Sequence, residues 1–146
     1  MATTELTATI TDAEWRVMRI VWTLGQADSH TIIDLLVRQH DWKPATIKTL
    51  IGRLVKKGAL GTTKDGRQYI YHPLIAEQAA MDTALATELN QMCAMCRGKA
   101  FVHAIDETEL SQDDIQTLIS HLQKKLTTAP TAVSCDCLPA DYEGSC

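Results

Sequence analysis

Apolar residues recur at helical spacing along most of the chain and give way to β-prone runs once. Trp15, Met18, Val21 and Trp22 share one face of a 3.6-residue period. They follow "TDAE", where Thr11 and Glu14 stand three apart as a capping box, and Gly25 closes this first helix. In "SHTIIDLLVRQH", Ser29 is the expected cap, and Ile32, Ile33, Leu36 and Val37 are expected to face inward. "KPATIKTLIGRLVKKG" predicts a third helix with Pro44 in its first turn, Gly58 at its stop, and Lys56 and Lys57 at the negative end of its dipole. Its stripe is Ile47, Leu50, Ile51, Leu54 and Val55. The opposite face holds Ala45, Thr46, Lys48, Thr49, Gly52, Arg53 and Lys56. Then "LGTTKDGRQYIYHP" places Asp65-Gly66 between two short β-prone runs, a hairpin signal, with Lys64 and Arg67 making its tip basic.

After Pro73 the pattern is helical again. "LIAEQAAMDTALATELNQMCAMC" contains strong helix formers and no Pro or Gly, so one helix is expected through Cys96. "KAFVHAI" is a shorter element. "LSQDDIQTLISHLQKKL" starts at Ser111, with Asp114 three residues on and an apolar stripe of Ile115, Leu118, Ile119, Leu122 and Leu126. "TTAPTAVS" is small, polar and Pro-interrupted, as linkers are. The expected fold is mainly α with a small β-wing. A winged helix-turn-helix spans 9–73, a helical dimerisation domain 74–126, and a flexible cysteine-bearing tail 127–146. Paired groove-reading helices and surplus apolar surface after residue 74 make a homodimer the expected assembly.

Charge sharpens this picture. Residues 1–73 hold ten Lys/Arg and seven Asp/Glu, whereas residues 74–146 hold four and eleven. Between Lys43 and Arg67 seven basic residues face only Asp65. A basic block on a chain of net charge −4 points to a polyanion contact. The candidate DNA contacts are Ala45, Thr46, Lys48, Thr49 and Arg53 on the third helix, with Lys64 and Arg67 on the wing. No phosphate-binding glycine loop or catalytic triad can be argued, so no enzyme is expected. The N-terminus lacks a basic region followed by an apolar stretch, and no apolar run reaches eighteen residues. The expectation is a cytoplasmic protein with no membrane contact.

Cysteine use is the other chemical signal. In a reducing compartment, five cysteines suggest metal or redox chemistry rather than a disulfide scaffold. Cys135, Cys137 and Cys146 crowd the last twelve residues and are the candidate metal ligands. Thiolates suit Cu(I) and Zn(II). A Cys-x-Cys pair is tight for a tetrahedral Zn(II) clamp of the Cys-x2-Cys kind but suits low-coordinate or bridging Cu(I). For Zn(II) a fourth ligand stays open between Asp136, Asp141, a partner cysteine and a terminal carboxylate. Cys93 and Cys96, at i and i+3 of one helix face, read first as buried small hydrophobes and second as a metal or redox pair. His30, His40, His72, His103 and His121 are scattered and read as structural or solvent-facing.

"ITDAEWRVMRIVW", "DWKPATIKTLIGRLVKKG" and "LSQDDIQTLISHLQKKL" resemble the matching segments of the BlaI/MecI penicillinase repressors over roughly residues 9–126. The cysteine tail resembles the copper-responsive CopY branch, whose repressors end in paired Cys-x-Cys motifs. Here the second pair is broken, because Gly144 stands two positions before Cys146. The resemblance implies a homodimeric repressor on a palindromic operator in double-stranded DNA. It also implies Zn(II) in the DNA-binding form and Cu(I) as inducer, and a copper chaperone is a further candidate partner. Three other readings are a family repressor relieved by proteolysis, a copper buffer or chaperone, and a thiol oxidoreductase using "CAMC". The last lacks the βαβ unit that such enzymes build on.

Overall fold

The computed structural model describes residues 9–144. In chain order the elements are α1 (Asp12–Leu24), β1 (Ala27–Asp28), α2 (Ser29–Gln39), α3 (Pro44–Lys56), β2 (Leu60–Asp65), β3 (Gln68–Pro73), α4 (Glu77–Gln91), a single 3-10 turn (Ala94–Cys96), α5 (Arg97–Glu107) and α6 (Gln112–Leu126). The chain divides into two compact units between Thr83 and Ala84.

The first unit is a winged helix-turn-helix. Its core is the inner faces of α1, α2 and α3, where Val17, Met18, Val21, Ile32, Leu36, Ile47 and Leu54 are almost fully buried. The sheet is three-stranded and antiparallel, in the order β1-β3-β2. The expected hairpin is β2–β3, with Asp65 opposite Gln68 across a two-residue loop. Gly66 takes φ 63° there, the positive-φ first position that such tight loops fill with glycine. β1 is an addition: Ala27 pairs with Tyr71 and Asp28 with Ile70. Two residues are too few for an alternating pattern to register.

The caps follow the sequence with one correction. Thr11 and Glu14 close the capping box of α1, and Ser111 and Asp114 that of α6. α2 is capped by Asp28, whose carboxylate accepts from Thr31 N–H at 2.7 Å, so Ser29 is its first helical residue and not its cap. A carboxylate outcompetes the adjacent hydroxyl for that donor at the positive end of the helix. Val37, expected inside, is 44% exposed. Gly58, at φ 82°, ends α3, and Ala59 N–H returns to Leu54 C=O at 3.0 Å.

The second unit has helices without a core. Among its described residues none is buried. The stripe of α6 is formed as expected but open to solvent, with Leu122 55% and Leu126 75% exposed. Phe101, Val102 and Ile105 of α5 are exposed as well. No helix among the described residues is long and apolar enough to cross a membrane.

Candidate nucleic-acid interface and thiol cluster

α3 is fixed along its inner stripe and at its C-terminal end. Ile47, Leu50, Ile51 and Leu54 are buried. Lys57 turns back to α1, its Nζ lying 2.6 Å from Glu14 Oε2 and 2.8 Å from Thr9 C=O. The Glu14 side chain is 1% exposed and that of Lys57 18%. A carboxylate so buried requires a partner, and the pair welds the start of α1 to the end of α3. Trp22 Nε1 donates to Ile75 C=O at 2.9 Å, tying the chain after the wing to the same helix α1.

With its inner side fixed, α3 presents Ala45, Thr46, Lys48, Thr49, Gly52, Arg53 and Lys56 to solvent. Thr49 Oγ1 donates to Ala45 C=O at 3.1 Å, which leaves its lone pairs facing out. Lys64 and Arg67 are exposed at the wing tip. Lys48, Arg53, Lys56, Lys64 and Arg67 enter none of the three ion pairs found among the described residues. No neighbouring carboxylate competes in these ion pairs with an external anion for such cations. Threonines and a glycine between them let a phosphate backbone or base edge come close.

The second site lies where α4 ends. The expected continuous helix through Cys96 stops at Gln91. Cys93 precedes the 3-10 turn, and Cys96 ends it. The pair therefore does not share an α-helical face, and it is not buried: Cys93 is half-buried and Cys96 exposed. Local propensity favoured continuation, but a partner distant in sequence overrides it. The Asp136 carboxylate accepts from Ala94 N–H at 2.8 Å and lies 3.5 Å from the Arg97 guanidinium. Arg97 Nε also donates to Met92 C=O at 3.2 Å. The donors and acceptors released by the break are thus met from the tail and from Arg97.

Asp136 brings its flanking cysteines with it. The sulfurs of Cys93, Cys135 and Cys137 lie within 4.8 Å of one another. The sequence sets Cys135 and Cys137 together in the tail and Cys93 apart with Cys96, whereas the structure joins Cys93 to the tail pair. The clue to Cys93 was two close cysteine pairs, one beside a basic residue and one around an acidic residue. Cys146 lies outside the described residues. No histidine belongs to this group.

The thiols differ in acidity. Desolvation pushes the Cys93 thiol up, but hydrogen bonds from the Cys137 thiol, the N–H groups of Met95 and Cys96, and the Cys96 thiol outweigh it and hold Cys93 below the ordinary thiol value. Cys137 moves up, because it donates to Cys93, is itself desolvated, and sits near the negative charge of Cys93, Asp136 and Cys96. Asp136 is held below the usual carboxylate range by Ala94 N–H, with the Arg97 charge assisting. Cys135 is in the disulfide form, so it ligates a metal only after reduction. Three soft sulfurs this close, one of them poised toward the thiolate, can hold a soft metal ion.

The penicillinase repressor family matches residues 10–124. An uncharacterized 16.5 kDa protein in the ptsI 3' region of Latilactobacillus sakei is 50% identical over 135 residues, 92% of each chain. The methicillin resistance regulatory protein MecI of Mammaliicoccus sciuri is 36% identical over 119 residues, covering 80% of this chain and 94% of MecI. Among solved structures, the CopR repressor is 43% identical, covering 47% of this chain and 100% of that chain at a TM-score of 0.41. With the family match running from two residues before α1 almost to the end of α6, the chain belongs to the penicillinase repressor family.

Proposed function

We propose that the chain is a homodimeric transcriptional repressor that grips a palindromic promoter operator through α3 and the wing, and lets go when Cu(I) occupies its tail thiols. The observation that carries this reading is one chain holding both a cationic, unpaired α3 face and a cluster of sulfurs drawn together by its tail. Thr46, Lys48, Thr49 and Arg53 reach base edges and phosphates of the major groove, beside Ala45. Lys64 and Arg67 hold the adjacent backbone. Dimerisation is supported by the coreless second unit, whose α5 and α6 stripes need a partner to cover them. The compartment is the cytoplasm, where Cys135 is kept reduced.

Cu(I) is satisfied by two or three sulfurs, and the cluster offers three once Cys135 is reduced. Zn(II) in the DNA-binding form supplies only structural ligation. The energetic demand is small. A tenfold loss of operator affinity corresponds to about 1.4 kcal/mol of coupling, against about 10–16 kcal/mol for thiolate binding of a structural metal. The test begins with DNA: wild-type protein selects duplexes from a random-sequence pool, and the winners are titrated by fluorescence anisotropy. The reading expects a two-fold symmetric consensus, released by Cu(I) with the chain intact. No enrichment, or release only after cleavage of the chain, would sink it.

A further inference from the structure

Between α1 and α2 lies a cleft of about 410 Å3, within the size range of small-molecule sites. None of the candidate DNA contacts on α3 or the wing lines it. Arg16, Arg19 and Ile20 stand three and four residues apart on α1, so helical spacing puts them on one wall. Leu35 and Gln39, four apart on α2, form the other wall, together with His40, the C-cap of α2.

The lining holds two guanidinium groups and no carboxylate. Neither Arg16 nor Arg19 enters any of the ion pairs found among the described residues, whereas Arg38 of α2 is matched by Asp34 at 3.0 Å. The rest of the lining is largely apolar: Ile20 is 9% exposed, Leu35 is half-buried, and Leu24 is 49% exposed. Arg16 is also held in place. A guanidinium has donors only, so its Nη1 donates to His40 Nε2, at 3.4 Å. The His40 ring stacks on Trp42 with centroids 4.9 Å apart, and its backbone N–H donates to Leu36 C=O at 2.8 Å. A positioned fork of donors beside apolar walls suits bidentate recognition of a carboxylate. An inorganic anion, or a phosphate of DNA, would use the arginines and leave the apolar walls uncovered. An anion that carries an apolar body uses both.

We propose that this cleft binds a small organic carboxylate with an apolar body. Arg16 and Arg19 take the carboxylate, and the body lies on Ile20, Leu24 and Leu35. The site shares no residue with the thiol cluster and needs neither metal nor DNA. It has a short route to α3, because the chain runs from His40 through Trp42 to Pro44, the first residue of that helix. A carboxylate on Arg16 competes with His40 for the same donors, so occupancy is felt at the turn that joins α2 to α3.

The test uses full-length, nitrogen-15-labelled protein, reduced and free of DNA, followed by amide chemical shifts. It is titrated in turn with phenylbutyrate, hexanoate, the neutral phenylbutanol and inorganic phosphate. Phenylbutyrate should give saturable shifts at Arg16, Arg19, Leu35, Gln39 and His40 that extend to Trp42, with a Kd of about 1 mM or tighter. Phenylbutanol and phosphate should each bind about tenfold or more weakly. Arg16→Gln and Arg19→Gln should each weaken phenylbutyrate binding about tenfold, with the amide shifts of the buried Ile47 and Leu54 unchanged as a check on folding. Leu24→Ser, at an exposed position, should weaken phenylbutyrate and leave the phosphate response alone. No saturation by either carboxylate at about 10 mM, phosphate binding as tightly as phenylbutyrate, or full binding by both arginine variants would overturn the proposal. A reduced salt dependence of DNA binding in Arg19→Gln, with no carboxylate binding in the wild type, would give the arginines to a DNA phosphate instead. Because the titrations contain neither DNA nor metal, their outcome is separate from that of the copper-release reading.

Discussion

Glu14 is a carboxylate that is 1% exposed, and two residues supply its partners there. Thr11 was legible as its partner, because a capping box is a local spacing. Lys57 was legible only as a cation at a helix end, since its contact with Glu14 spans 43 residues and no local pattern encodes that. Lys57→Met should leave a buried charge without its cation and cost about 3–5 kcal/mol, read as a fall in the thermal unfolding midpoint. Arg53→Ala, on the exposed side of the same helix, should stay within about 0.5 kcal/mol in stability. On operator DNA it should cost about 1–3 kcal/mol. If both variants lose stability equally, the division of α3 into a fixing side and a reading side is wrong. Asp136 behaves with the opposite economy of scale, as an exposed group whose role is positional. Its folded-state acidity is raised by Ala94 N–H, so its contribution to tail docking is complete above about pH 4 and is lost as pH falls through the lowered value. The Ala94 amide resonance should therefore hold steady from pH 7 to about pH 5 and shift only below about pH 4. A shift near neutral pH would mean that Asp136 is not its acceptor.

At the level of elements, the winged helix was readable because each piece carries its own punctuation. Pro44 and Gly58 bound α3, and Gly66, just after Asp65, turns the wing. β1 was not readable, since its two residues are recruited by β3 and not by their own pattern. The end of α4 was not readable either. Nothing between Glu77 and Cys96 breaks a helix by itself, and the Ala94 N–H freed at the break is met by Asp136, 42 residues beyond it. That is also why the sequence placed Cys93 and Cys96 in a helix and the structure places them in a turn. The wing gives a prediction at this scale. Lys64→Ala removes a cation at the tip without touching the core, and should weaken binding to all DNA sequences alike. The slope of log affinity against log salt should fall in magnitude by about 0.9. An unchanged slope would take Lys64 off the phosphate backbone.

For the whole molecule, the contrast between the two units carries the most information. The first has a core closed around Met18, Ile32, Leu36, Ile47 and Leu54; the second, among its described residues, has none. The sequence showed the apolar stripe of α6, but a stripe does not say what covers it. In the proposed dimer a second copy of the chain covers it, and Leu118→Asp or Leu122→Asp should then bury a charge at the interface and cost several kcal/mol of association, on the order of the penalty for an unpaired buried ion. Sedimentation should show the wild type as a dimer at micromolar concentration and these variants as monomers; a monomeric wild type contradicts the assembly. In the proposed dimer two α3 helices on one operator would bind as a unit, so a metal that disturbed the second unit would change affinity for both half-sites. A metal shifts that equilibrium only through different affinity for the bound and released states. The most direct measurement is therefore operator affinity by fluorescence anisotropy, on the duplex selected by the wild type, for reduced protein loaded with Zn(II) and then titrated with Cu(I). The same titration is run on a Cys135→Ser/Cys137→Ser variant. The account predicts at least about a tenfold loss of affinity in the wild type, about 1.4 kcal/mol, and little or none in the variant. Release of both at the same copper concentration, or of neither, contradicts it.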